Sequence, residues 1–273
     1  MGIYPLTLSL ELNQIYLGDC LELMRDIPDK SIDMILCDLP YGTTACKWDT
    51  IIPFELLWEQ YKRIIKDNGA IILTGQEPFS SHLRLSNITM YKYDWVWEKS
   101  NPTGMGQANK KPMKYHELIS VFYKKQPTYN KQMIVRESSR IKDAHKSNYK
   151  FNVSDLTTGN QQCKSYKDID SKRYDPNFKN PSSIIKINSL RANSKEWCSH
   201  PTQKPVALFE YLIKTYTNES EIILDNCIGS GTTAIACINT GRNFIGIEKD
   251  EKYCEIAKNR VLQHSNTNVS TDE

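Results

Sequence analysis

Asp38-Leu39-Pro40-Tyr41 stands directly after the mostly apolar run Ile32-Asp33-Met34-Ile35-Leu36-Cys37. An acid at a strand end, followed by a proline and an aromatic, sets a hydrogen-bond acceptor beside a flat stacking surface. That pair suits a planar group with an exocyclic amine, such as a nucleic-acid base. Alone, such a tetrapeptide is more often an ordinary turn, with the acid as a helix cap and the tyrosine as a packed aromatic. A second constellation changes the weighing. Asp225-Asn226-Cys227-Ile228-Gly229-Ser230-Gly231-Thr232 follows another apolar strand. Gly229 and Gly231 let the backbone turn sharply and let a ligand lie against it. Glu248 ends the next strand, where a carboxylate can accept from both hydroxyls of a ribose. The loop has neither the third glycine of G-x-G-x-x-G nor the Gly-Lys-Ser/Thr of a P-loop. It therefore favours an adenosine-containing cofactor that places no pyrophosphate on the helix.

The elements that must position these residues alternate along the chain. Residues 15–17 read as a short strand ending at Gly18-Asp19, and 20–25 as a helix closed by Pro28. Residues 32–37 are too evenly apolar to alternate, as expected of a strand covered on both faces. Pro53 opens a helix through residue 66, with Phe54, Leu57, Trp58, Tyr61 and Ile65 at helical spacing and Asn68-Gly69 as its stop. Strands are expected at 70–74, 93–97 and 118–123, with a short helix at 79–85. Periodicity fails from about 124 to 199, a polar stretch rich in Lys, Asn, Ser and Pro that reads as an irregular subdomain or a partly mobile one. It returns as helix 206–216, strand 222–224, helix 232–239, strand 244–247 and helix 252–262, before a frayed tail at 265–273. Strands alternating with helices predict an α/β fold: a doubly wound, parallel sheet with ligands at the carboxyl ends of its strands.

Composition narrows the class. At 273 residues, 39% hydrophobic and 25% charged, the chain can bury a large core. No apolar run approaches the roughly 20 residues that span a bilayer. The start, Met1-Gly2-Ile3-Tyr4-Pro5, lacks the basic and apolar parts of a signal peptide, so an intracellular protein is expected. Eight cysteines without a C-x-x-C pair point to neither a zinc site nor a disulfide framework, and Cys198 with His200 is too small a set for a metal. The net charge of +3 hides an asymmetry: between residues 124 and 196, sixteen Lys or Arg stand against seven Asp or Glu. This stretch carries +9 and the remainder −6, an electrostatic footprint for a polyanion set against the plainer reading of a solvated loop.

Three motifs together resemble the amino-methylating DNA methyltransferases. Asp38-Leu39-Pro40-Tyr41 is similar to their D/N/S-P-P-Y motif, and residues 225–231 to the D-P-F-x-G-S-G loop that binds S-adenosylmethionine. His200-Pro201-Thr202-Gln203-Lys204-Pro205 resembles the H-P-T-x-K-P element before that loop. The order, with catalytic motif first, basic region next and cofactor loop last, matches the β class. The resemblance implies a circularly permuted Rossmann-like sheet: moving 200–264 ahead of residue 13 restores the ordinary methyltransferase order. It divides the chain into a catalytic half (13–123), a target-recognition region (124–199), a cofactor-binding half (200–264) and a tail.

By that resemblance, Asp38 and the Leu39 carbonyl accept hydrogen bonds from the target amine, Pro40 shapes the turn, and Tyr41 stacks on a base flipped out of the duplex. Asp225, Gly229 and Gly231 lie under the methionine and sulfonium of the cofactor, Glu248 binds its ribose, and Asp19 contacts its adenine end or simply caps a helix. Thr202 and Lys204 reach the cofactor carboxylate, unless Lys204 is a surface lysine. Trp48 either closes over the flipped base or packs its own loop, and His116-Glu117, a further family-like element, is read as structural. Leu39 replaces the usual first proline, and Asn226-Cys227 replace Pro-Phe. None of these removes a group that the chemistry needs.

The resulting expectation is a site-specific methyltransferase acting on adenine N6 in double-stranded DNA, with cytosine N4 as the alternative. It would work in the cytoplasm of a prokaryotic cell, phage-encoded or not, as a possible homodimer with a possible cognate restriction endonuclease. An NAD-dependent oxidoreductase would leave the tetrapeptide and the basic stretch unexplained. An RNA or protein N-methyltransferase usually carries its cofactor loop first, and a non-catalytic DNA-binding module needs neither ligand loop.

Overall fold

Met34 and Leu36 pack into one hydrophobic cluster, Ile35 and Cys37 into another, and all four are fully buried. Their strand, β2 (Ile32–Cys37), is therefore covered on both faces, which explains its continuous apolar sequence. The computed structural model describes residues 10–43, 46, 49–136, 175, 177–191, 193–194, 196–198 and 202–269, with side chains to 266. It divides into a larger unit (1–130 and 183–273) and a smaller one (131–182).

The larger unit is built on one eight-stranded sheet. Around β2 stand β1 (Gln14–Leu17), β3 (Ile65–Gly75), β4 (Tyr91–Thr103) and β5 (Lys114–Phe122). In the smaller unit, β6 (Ile134–Val135) pairs with β7 (Phe178–Lys179) in antiparallel fashion, and Arg136 Nε donates to the Phe178 carbonyl at 2.9 Å. The large sheet is completed by β8 (Ile184–Lys186), β9 (Ile222–Asp225) and β10 (Asn243–Glu248), in the order β1-β10-β9-β2-β3-β5-β4-β8. One face carries α1 (Cys20–Leu23), α2 (Phe54–Ile64) and α3 (Phe79–Ser86); the other carries α4 (Val206–Tyr216), α5 (Thr232–Thr240) and α6 (Glu251–Val269). Leu57, Trp58, Tyr61 and Ile64 of α2 are buried at helical spacing, as are Leu208, Phe209, Leu212, Ile213 and Tyr216 of α4. The doubly wound expectation holds.

The sheet is mixed rather than wholly parallel. β5 runs antiparallel to both β3 and β4. The physical reason is the connection: β4 and β5 are joined by a short turn at Met105–Gln107, after Gly104 at φ +93°, with no crossover helix. The expected helix to residue 66 also stops early. Ile65 is extended, and β3 starts there, so Asn68-Gly69 lies inside a strand irregularity and not at a helix end. Gly69 is required by proximity, because a Cβ there would stand 2.8 Å from the Asp33 carbonyl oxygen. Lys66 reaches across to Asp33 at 2.6 Å. At the chain end, α6 continues through residues where a frayed tail was expected. In the aperiodic stretch, β8 joins the sheet edge in parallel with β4. No helix of the described residues is long and apolar enough to cross a membrane.

Candidate active site

β9 pairs in parallel with β2, Met34 beside Ile223 and Ile35 beside Leu224. Their carboxyl ends are consequently neighbours, and so are the loops that follow. Both loops line one cavity of about 840 Å³. Asp19, Asp38, Leu39, Pro40, Tyr41, Thr202, Lys204, Asp225, Gly229 and Glu248 all contribute to its wall. Gly231 does not. It stands at φ +82°, where a Cβ would be 3.2 Å from the Cα and Cβ of Ala257 on α6, so it serves close packing beneath the loop. Trp48, His200 and Pro201 lie outside the described residues.

At one end of the cavity, backbone amides hold the acids. Glu248 accepts from Gly229 N at 2.8 Å through one oxygen and from Asp250 N at 2.9 Å through the other. Burial raises its carboxyl above the ordinary range, against the pull of those amides. Asp225, 2% exposed, accepts from the Thr233 hydroxyl and from Cys227 N at 3.1 Å. Burial is the leading cause that pushes its carboxyl up to about 7. Asn226, in a proline's place, accepts from the Tyr61 hydroxyl at 2.5 Å. Asp19 takes the capping role, bonding Leu21 N at 2.9 Å at the start of α1, and it also lines the cavity. Its hydrogen bond with Lys249, at 3.0 Å, lowers its carboxyl more than burial raises it. A glycine turn, one buried and one partly buried carboxylate at strand ends, and a cavity of this size fit a nucleoside cofactor.

At the other end, Asp38 is closely bonded. One oxygen accepts from Tyr41 Oη at 2.5 Å and from the Thr74 hydroxyl, and the second accepts from Lys204 Nζ at 2.5 Å. The Lys204 ammonium thus sits on Asp38, 3.4 Å from Glu117, and is buried. Burial opposes its charge, but Asp38 and then Glu117 outweigh that cost and hold it above the usual lysine range. Glu117 also pairs with buried Lys99 at 3.1 Å. His116-Glu117 was expected to be structural, yet Glu117 lines the cavity. The Tyr41 ring lies 5.0 Å from that of Phe79, tilted by 32°. Burial, then the Asp38 charge, drives the Tyr41 phenol well above its ordinary range, so it acts as a donor. Asp49 fixes the turn by accepting from Gly42 N at 2.8 Å and Thr43 N at 2.9 Å. Sequence reasoning passed over Asp49, Tyr61, Thr74, Lys99 and Thr233. Only Thr74 and Thr233 carried a signal, as polar residues at a strand end and in the first turn of a helix after a glycine loop.

A family model described as DNA methylase matches residues 32–259, a span that includes both loops. The chain belongs to the DNA methylase family. Type II methyltransferase M.BglII of Bacillus subtilis is 31% identical over 267 residues, covering 90% of this chain and 68% of its own. DNA adenine methyltransferase YhdJ of Escherichia coli K12 is 29% identical over 280 residues, covering 95% and 86%. Among solved structures, the complex of M1.HpyAVI with S-adenosylmethionine superposes with a TM-score of 0.57 at 25% identity, covering 91% of this chain and 98% of that one. The protein is an S-adenosylmethionine-dependent DNA methyltransferase of the N6-adenine and N4-cytosine family. In this methyltransferase Glu248 at the end of β10, Asp225 at the end of β9 and Gly229 in the loop beyond it line the same cavity. Among the described residues, no group of three His, Cys, Asp or Glu is arranged to hold a metal ion.

Proposed function

We propose that this methyltransferase modifies the N6 amine of adenine in double-stranded DNA, at a base flipped out of the helix. One observation carries the reading: the Asp38 turn and the glycine loop line the same cavity. An amine held at Asp38 therefore faces the space beside Asp225 and Gly229. When bound there, S-adenosylmethionine would supply an electrophilic methyl group whose leaving group is a neutral thioether. Asp38 and the Leu39 carbonyl orient the amine, so that its nitrogen lone pair points at the methyl carbon. They also stabilise the positive charge that grows on nitrogen as the new bond forms. The proton leaves afterwards, so Asp38 need not be a strong base. Asp225, Gly229 and Glu248 hold the cofactor, Asp19 its adenine end, and Thr202 lies toward its carboxylate.

Adenine is favoured by the acid at position 38 of the motif, and by the adenine activity named for the YhdJ relative. Residues 124–199 are assigned to target recognition on their charge, with phosphate contacts and base-edge readout. The sequence order supports a circular permutation: β9 and β10, from the end of the chain, stand between β1 and β2 in the sheet. A cognate restriction endonuclease is in keeping with the Type II naming of M.BglII. Homodimerisation and a prokaryotic cytoplasm complete the proposal.

Incubation with mixed-sequence DNA and labelled cofactor, followed by nucleoside mass spectrometry, tests the target. N6-methyladenine is expected; N4-methylcytosine would replace the adenine reading, and no product would remove both. Asp38→Ala is expected to abolish transfer with cofactor affinity within a few-fold. Normal turnover in that variant sinks the assignment of Asp38. Charge reversal of Lys142, Lys146, Lys164 and Lys167 should weaken DNA binding in a salt-dependent way, and unchanged binding at low salt would oppose the recognition assignment.

A further inference from the structure

A carboxylate that is to receive a substrate amine must have a place for it. Asp38 is surrounded by three donors. Tyr41 and Thr74 share Oδ1 and contact each other at 3.0 Å, forming a closed set. Lys204 serves Oδ2, and its ammonium also lies 5.7 Å from the centroid of the Tyr41 ring. One buried cation thus occupies the acceptor and approaches the aromatic face, the two features assigned to a flipped base.

Glu117 offers that cation a second seat. Its Oε1 is held by Lys99 at 3.1 Å, while its Oε2 is 3.4 Å from Lys204 and takes no hydrogen bond despite being buried. The ammonium is tightly bonded to Asp38 at 2.5 Å and only in long ion-pair contact with Glu117 Oε2 at 3.4 Å. A buried carboxylate oxygen served only by a long ion-pair contact is under-satisfied, because a 3.4 Å contact only partly replaces its lost hydration. A small movement of the ammonium toward Glu117 fills that acceptor and vacates Asp38 Oδ2. The balance of two lysines and two carboxylates is unchanged by the movement. Without Glu117, an entering amine would have to displace an ammonium that has no other carboxylate to go to.

We infer that Lys204 holds the base site in the substrate-free enzyme, and that Glu117 is a positioning residue that receives its ammonium when the target base enters. This rests on the reading of Asp38 as the amine acceptor. A purely structural Glu117, present only to neutralise Lys99 and Lys204, would affect stability without a selective effect on base entry.

The test uses the full-length enzyme and a duplex carrying 2-aminopurine at or beside the mapped target, whose fluorescence rises when the base leaves the stack. Glu117→Gln is expected to suppress that rise and to raise the KM for DNA about tenfold, with cofactor Kd within twofold. Lys204→Met should leave base entry at least as favourable as in the parent. The double variant should recover base entry, so the two effects will not add. Parental base entry and KM in Glu117→Gln, or a double variant no better than Glu117→Gln alone, would overturn the inference. If Glu117→Gln fails to fold, Lys204→Met still decides: base entry weaker than the parent's rejects the placeholder role. Asp38→Ala is run alongside. Activity in Asp38→Ala removes the functional reading itself, whereas an inactive Asp38→Ala beside a normal Glu117→Gln removes only this inference.

Discussion

Tyr61 on α2 donates its hydroxyl to Asn226 Oδ1 at 2.5 Å, tying the helix after the tetrapeptide to the glycine loop. Both residues are buried, at 0% and 2% exposure. Tyr61→Phe leaves the Asn226 carbonyl without this donor, and a buried acceptor so orphaned costs about 1–3 kcal/mol. The variant should lose stability in that range by denaturant unfolding and bind S-adenosylmethionine more weakly by calorimetry. Unchanged values for both would show that the bond does not organise the loop.

The Asp225 carboxyl, pushed up from 3.8 to about 7, gives a pH dependence of defined sign. Between those values the folded protein retains a proton that the unfolded chain has released. The contribution of this group to stability is therefore largest below the unfolded value, declines as pH rises toward about 7, and is level beyond. Asp225→Asn removes the slope. Denaturant titrations at several pH values across that window should show a smaller loss in the variant than in the parent protein.

Gly231→Ala forces a side chain into the left-handed region and against Ala257 on α6. Strain of this kind costs about 1–3 kcal/mol, and relief by tilting the loop moves Gly229 away from Glu248. A lower Tm together with cofactor affinity reduced at least several-fold is expected. A variant with the parent's Tm would mean that the loop tolerates the methyl group.

Asp49→Ala releases the backbone amides of Gly42 and Thr43 just beyond the tetrapeptide. Cofactor binding should persist, because those amides lie on the Asp38 side of the cavity. Single-turnover methylation should fall about tenfold or more as the turn that aims Asp38 loosens. Equal losses in rate and in cofactor affinity would instead indicate general collapse of the pocket.

The fold was legible where the sequence pattern is local. Residues 206–216 and 222–225 carry their helix and strand in apolar spacing and turn residues, and the expected boundaries fall within a residue of those observed. Legibility failed where long-range pairing decides. Lys66 answers Asp33 across the sheet and Gly69 is shaped by the Asp33 carbonyl, so the end of α2 depends on a neighbouring strand. β5 runs antiparallel because of how its turn is built, which apolar content cannot reveal. The site divides in the same way. Contiguous motifs marked Asp38 and Asp225, whereas Tyr61 and Thr74 bond to Asn226 and Asp38 from α2 and β3, and Glu117 lines the cavity from β5. Lys204 was tied to the cofactor carboxylate by its motif, yet the fold brings it to Asp38.

The placement of β9 and β10 between β1 and β2 has a consequence for synthesis on the ribosome. β1 finds its sheet partner only when residues 243–248 have been made, and β2 lacks one neighbour until residues 222–225 have been made. Until then the nascent chain carries Asp38 and Tyr41 beside an incomplete sheet. Pairing across such sequence separations is slow, and unpaired strand edges invite association with other chains. Emergence of residues 222–248, rather than of Asp38 and Tyr41, would set the moment at which the cavity can be completed.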